Sequence, residues 1–148
     1  MGIFTKFKQK KNQDGITVTP EKSMDVFIEF SDWLNQHLAK ELPSNIAAIN
    51  FNLYESPVKD YMIELVGCDS FDEQDSDWAC DEVFDTRGAP YTINQRNNII
   101  NWEQGLSLAI ELVERYLQEG MYADKLKSYT AIGVGFVDGD IALVHQRK

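Results

Sequence analysis

The sequence predicts an α+β fold, one antiparallel or mixed sheet of about five strands packed by two main helices. Three observations carry that expectation. Apolar residues recur at three- and four-residue intervals in two separate segments, they alternate with polar residues over 47–65, and a pair of apolar runs near the end meets at Asp138-Gly139.

The first helix is expected from Thr19-Pro20-Glu21, where a hydroxyl caps and proline occupies the first helical position without losing a hydrogen bond. Phe27, Phe30, Trp33, Leu34 and Leu38 give it one apolar face. Met24, Val26, Ile28 and Phe30 also alternate as a strand would, but the helical period from Ser31 to Leu42 decides for a helix that runs to Leu42, before Pro43. Ile49, Phe51 and Leu53 alternate with Asn50 and Asn52, and Tyr61, Ile63 and Leu65 repeat the pattern after Glu55-Ser56-Pro57, so these two strands should pair as a hairpin. A third strand is expected over Trp78 to Phe84, extended by Tyr91 to Ile93.

The second helix opens at Asn101, with Gln104 three residues on in the manner of a capping box, and closes at Gly120. Trp102, Leu106, Ala109, Ile110, Val113 and Leu117 form its expected buried face, opposite Glu103, Glu111, Glu114 and Gln118. A short helical turn is expected within Met121 to Lys127. The runs Tyr129 to Val137 and Asp140 to His145 read as a hairpin, because Asp-Gly tolerates the positive φ of the primed turns. Gly133 and Gly135 lack the third glycine and following helix of a dinucleotide loop and read as small strand residues that permit a bulge or a close helix approach.

A length of 148 residues, with 43% hydrophobic and 26% charged residues, fits one domain with one core. Residues 1–14 read as a flexible basic leader and 15–148 as the domain. Ile3, Phe4 and Phe7 stand among the leader's lysines, too few apolar side chains for a firm bilayer anchor. The net charge of −10 includes Lys6, Lys8, Lys10 and Lys11, so the rest of the chain carries −14. That sign repels a phosphate backbone, and no nucleic acid partner is expected. It suits a basic protein partner, and equally it supplies solubility. Neither Cys68 nor Cys80 belongs to a zinc-type ligand set, and both are expected reduced and at least partly buried. No stretch reaches the ~20 apolar residues of a membrane span, and no signal-peptide core opens the chain, so the cytoplasm is the expected compartment.

The strongest local anomaly is the segment 69–85. Asp69, Asp72, Glu73, Asp75, Asp77, Asp81, Glu82 and Asp85 stand there without a lysine or arginine. A calcium loop is one reading, but Ala79 falls where the EF-hand spacing from Asp75 and Asp77 needs a third oxygen ligand, and no metal or other cofactor is expected. A solvated loop is another. The third is a recognition surface for a basic partner, built from Asp69, Asp72, Glu73, Asp75, Asp77, Asp81 and Glu82, with Trp78 as an aromatic anchor unless that ring is core.

Catalytic residues are not indicated. His37 and His145 are isolated in the sequence, and Cys80 has neither a nucleophile elbow nor a family-type cysteine motif around it. Nothing selects one carboxylate pair for glycoside chemistry. A small carboxylate-using hydrolase stays open as an alternative function, as does an accessory protein of a larger assembly.

The segments Asp77-Trp78-Ala79-Cys80-Asp81-Glu82-Val83-Phe84 and Gly133-Val134-Gly135-Phe136-Val137-Asp138-Gly139-Asp140-Ile141, with the Asn101 to Gly120 helix between them, resemble small acidic bacterial proteins of the immunity class in polymorphic toxin systems. The resemblance covers the layout of residues 45–145 and transfers no binding residue by correspondence. It implies a non-catalytic cytoplasmic inhibitor that neutralises a basic toxin by covering its active surface.

Overall fold

In a computed structural model, which describes residues 19–58, 60–93 and 101–147, six strands form one mixed sheet. The expected leader lies outside the described residues. The elements are α1 (Thr19–Leu38), β1 (Ala48–Glu55), β2 (Tyr61–Cys68), a 3₁₀ turn (Ser76–Cys80), β3 (Glu82–Asp85), β4 (Tyr91–Ile93), α2 (Trp102–Glu119), α3 (Ala123–Lys127), β5 (Ala131–Phe136) and β6 (Ala142–Gln146). The strand order is β3-β2-β1-β5-β6, with β4 also pairing with β2. β1 runs parallel to β5 and every other pairing is antiparallel, so the sheet is mixed and the fold is α+β as expected.

The β1–β2 hairpin closes where Ser56 N donates to Asp60 O at 2.8 Å and Asp60 N to the Ser56 hydroxyl at 3.2 Å. β5 and β6 pair as expected, but not through a primed Asp-Gly turn: Gly139 N donates to Phe136 O at 3.0 Å, so the tight turn centres on Val137-Asp138 and Gly139 does not take a positive φ; the strand register shifts between Ile132 and Gly133. A Cβ on Gly133 would lie 2.5 Å from Ile141 Cγ2, and one on Gly135 would collide with the Asp140 carbonyl. The close neighbour that the two glycines admit is therefore the β5–β6 connection, not a helix.

The main core lies between the helices and one sheet face, where Phe30, Leu34, Leu38, Ile49, Phe51, Leu53, Ile63, Leu65, Val113, Tyr116, Ile132 and Val134 are buried. α1 stops at Leu38 rather than Leu42. The Lys125 ammonium on α3 donates to Leu38 O at 2.6 Å and Lys40 O at 3.0 Å, satisfying carbonyls that a longer helix would have used internally. The chain is thereby turned back so that Leu42 and Ile46 reach the main core.

α2 is capped as the sequence indicates, the Asn101 side chain accepting from Gln104 N at 2.9 Å. Its buried face is rotated slightly from the expected one: Ala109, Val113 and Leu117 are inside as expected and are joined by Gly105, Leu112 and Tyr116, while Leu106 and Ile110 pack partly buried against the core and Trp102 is 56% exposed. Gly105 sets this rotation, because a Cβ there would stand 3.2 Å from the Tyr61 ring, so the helix rests closely on β2 at that turn. Tyr116 ties the same helix to α1, donating its hydroxyl to Asn35 Oδ1 at 2.5 Å.

A smaller core occupies the opposite sheet face, where Ala48, Val66, Cys68, Trp78 and Ala131 are buried with Phe71 and Ile141 against them. The expected third strand is corrected here. Asp75 accepts from Asp77 N at 3.0 Å and starts a 3₁₀ turn over Ser76–Cys80, so the third strand is confined to Glu82–Asp85, and Tyr91–Ile93 pairs with β2 as a separate strand. The turn lays the indole of Trp78 on the sheet, edge-on to Phe71 at 5.3 Å between ring centroids.

Candidate functional site

Strand alternation sends Asn50, Asn52 and Tyr54 of β1 to the face away from the helices, and the register places Glu64 of β2 directly across from Asn52. On the other side of β1, Gly133 lies beside Asn50 and Gly135 beside Asn52. Two cross-sheet rows result, Val66-Asn50-Gly133 and Glu64-Asn52-Gly135. At the β5 end of each row the room left by the glycine is filled by the β5–β6 connection, with Ile141 over Gly133 and the Asp140 carbonyl over Gly135.

Above these rows is a cleft of about 580 Å³. Its floor is Asn50, Asn52 and Glu64. One wall is the 3₁₀ turn and the start of β3, with Asp77, Cys80 and Glu82; the other is the end of β5 and the following turn, with Phe136, Val137 and Ile141. A second depression of about 410 Å³, lined by Tyr61 and Trp102, shares Tyr54, Phe136, Val137 and Gly139 with the first.

The floor is a directed hydrogen-bond chain. Arg87 Nε donates to Glu64 Oε2 at 3.2 Å and Arg87 Nη2 to Glu64 Oε1 at 3.0 Å. Asn52 donates its amide to Glu64 Oε1 at 3.3 Å, and Asn50 donates to Asn52 Oδ1. Because an ionised carboxylate only accepts, Glu64 fixes the orientation of both amides, and the chain ends on Asn50 Oδ1. That atom is buried and has no donor among the described residues.

Glu64 is 2% exposed, and a charge so placed is tolerable only when paired and hydrogen-bonded. Arg87 supplies the pair, and the same guanidinium donates to Glu82 at 2.9 Å and lies 3.6 Å from Asp85. These bonds, to Glu64 first and Glu82 second, raise its affinity for the proton above the ordinary arginine value. Burial, followed by the Glu64 charge, pushes the Tyr54 hydroxyl up.

The expected site residues separate into two groups. Asp69, Asp72, Glu73, Asp75, Asp77, Asp81 and Glu82 are all exposed, but only Asp77 and Glu82 line the cleft, and the others form a ridge outside it. Several ridge carboxylates shape their own loop: Asp72 accepts from Gln74 N at 2.9 Å, and Asp81 from the Ser70 hydroxyl at 2.6 Å. Arg87 is the cation that answers this segment among the described residues, and it pairs with Glu82 and Asp85. No three His, Cys, Asp or Glu side chains converge on a cation position among the described residues.

Of the two expected roles for Trp78, anchor or core, its burial fits the second. At 5% exposure its ring is held by the second core and is not presented to a partner. Cys68 is buried, whereas Cys80 is exposed, contrary to the expectation that both are partly covered. Burial, then the charges of Glu82, Asp81 and Asp69, pushes the Cys68 thiol up to about 12. His145 does not serve a thiol, since its Nε2 lies 3.1 Å from Lys127 O.

Asn50, Asn52, Glu64 and Arg87 were not singled out by the sequence. Their signal was a glutamate inside an otherwise apolar strand and two asparagines at alternate positions, a pattern shared with any solvent-facing strand surface. No helix among the described residues is long and apolar enough to cross a membrane. No family model, curated protein or solved structure matches the chain.

Proposed function

We propose that this chain is a non-catalytic protein-binding domain of immunity type, which neutralises a basic toxin by covering it with the acidic surface of residues 69–85. The observation that carries the reading is the state of that segment. All eight of its carboxylates are exposed, and among the described residues a single arginine answers two of them. Such a concentration of uncompensated charge costs self-repulsion and is relieved by a partner of opposite sign.

The alternative of a carboxylate-using enzyme requires carboxylates that converge in a pocket, and Glu64, Asp77 and Glu82 do line the cleft. Against it, both oxygens of Glu64 are taken by Arg87 and Asn52, so the buried member of the group is committed to holding the floor.

The test is capture of partners by the immobilised full chain, beginning with the product of the adjacent gene. The expected partner is a basic protein whose toxicity is suppressed on binding and which is released by salt. A partner bound equally by the parent and by the combined Asp72→Asn, Asp75→Asn and Asp77→Asn variant would overturn the proposal.

A further inference from the structure

We infer that the cleft receives a guanidinium group, an arginine side chain of the basic partner, which enters between the 3₁₀ turn and the β5–β6 connection. The inference deepens the binding function proposed above and rests on it. Four features of the cleft select this chemistry.

The first is an acceptor without a donor. Asn50 is 3% exposed, its amide orientation is fixed through Asn52 by Glu64, and its Oδ1 is left unpaired among the described residues. A buried acceptor in that condition costs about 1–3 kcal/mol; it lies over Gly133 beneath the Ile141 side chain, which lines the cleft, so a donor that displaces Ile141 relieves it. The second is charge. Glu64, Asp77 and Glu82 stand against Arg87 alone in the lining, and since Arg87 saturates Glu64, the mouth keeps a negative excess that rejects anions.

The third is the apolar part of the walls. Tyr54 and Phe136 line the cleft, and aromatic faces accept a planar guanidinium by stacking, which a compact, strongly hydrated ammonium exploits less well. The acceptors are also spread between floor and wall, which suits a rigid fork of five donors better than a point charge. The fourth is size. At about 580 Å³ the cleft falls inside the range of roughly 300–1,000 Å³ typical of ligand pockets, and it admits a side chain with part of its backbone.

Cys80 makes the inference separable from the acidic-surface reading. It is exposed and lines the cleft wall, so Cys80→Trp narrows the cleft without altering any charge on the ridge. The experiment has two arms. In the first, the ¹⁵N-labelled full chain is titrated at constant ionic strength with Nα-acetyl-arginine methylamide and with its lysine counterpart. Expected are saturable shifts of the Asn50 and Asn52 side-chain amides, at least about fivefold tighter for arginine, lost in Cys80→Trp. Shifts confined to residues 69–75, equal for the two compounds, or unchanged in Cys80→Trp overturn the inference.

In the second arm, the captured partner is measured against the parent and Cys80→Trp. Expected is a loss of about tenfold or more in affinity through faster dissociation, with the low-salt association rate kept. Loss of affinity on replacing one partner arginine by alanine identifies the occupant. If the partner binds Cys80→Trp as it binds the parent, the cleft inference fails while the acidic-surface reading stands. If the small arginine compound fills the cleft but no basic partner exists, an arginine of the partner is overturned as the occupant, together with the reading on which it rests.

Discussion

Replacing Arg87 by alanine isolates what holds the cleft floor together. The substitution removes the donors at 3.0 and 3.2 Å from Glu64 and leaves its carboxylate with the Asn52 amide. Exposed ion pairs are worth about 0–1 kcal/mol and breaking a buried one costs about 3–5 kcal/mol. With the Glu64 side chain 3% and the Arg87 side chain 56% exposed, water can partly replace the lost guanidinium, so the expected cost lies between, about 2 kcal/mol. For a chain of this length that corresponds to a fall of about 4–8 °C in Tm. Urea unfolding followed by tryptophan fluorescence measures it, since Trp78 is buried on the same sheet face.

Removing the stranded carboxylate tests the cause of this cost. Adding Glu64→Gln to Arg87→Ala should recover more than half of the deficit at neutral pH, because no buried charge is then left without its cation. A cost below about 0.5 kcal/mol, or one that Glu64→Gln does not relieve, would refute the claim that Arg87 sustains a buried charge.

Three further perturbations follow from other parts of the structure. With its thiol pushed up to about 12 and its side chain buried, Cys68 should resist a thiol reagent that modifies Cys80 within minutes, reacting only after denaturation; equal native rates would contradict the packing. Gly135→Ala should cost about 1–3 kcal/mol in urea unfolding because the new Cβ meets the Asp140 backbone, whereas Gly88→Ala, with nothing within 4 Å of its Cβ, should stay within about 0.5 kcal/mol. Burial, followed by the charge of Lys40, lowers the pKa of His37, so the folded chain binds fewer protons and loses stability as pH falls below about 6.5; His37→Gln should flatten that slope, and an unchanged slope would assign it to other groups.

The fold was legible where local signals agree with the tertiary outcome. The β1–β2 hairpin, the pairing of β5 with β6 and α2 with its Asn101 cap rest on alternation, a break between two apolar runs and a capping residue, all encoded within a few residues, although the β5–β6 turn itself centres on Val137-Asp138. The parallel pairing of β1 with β5 is a contact between distant segments and leaves no local trace. The end of α1 depends on Lys125 and the rotation of α2 on the Tyr61 ring that meets Gly105, partners distant in sequence from the helices they shape. Trp78 stayed open between anchor and core because a single buried side chain interrupts an exposed acidic run, where composition describes the loop and not the one residue that pins it. The cleft floor escaped notice for the converse reason. Asn50, Asn52 and Glu64 have the polarity of a solvated sheet face, and their burial comes from the 3₁₀ turn and the β5–β6 connection that close over them.

The most direct measurement of the central claim is the stopped-flow association rate of the captured basic partner as a function of salt, with the parent and with the combined Asp72→Asn, Asp75→Asn and Asp77→Asn variant. Exposed charges steer encounter at low ionic strength and are screened beyond about 8 Å at 0.15 M. The account predicts that the parental rate falls about tenfold or more between 0.02 and 0.5 M salt, that the variant is several-fold slower at the low end, and that the two converge at the high end. Parent and variant rates that coincide and do not respond to salt would contradict it.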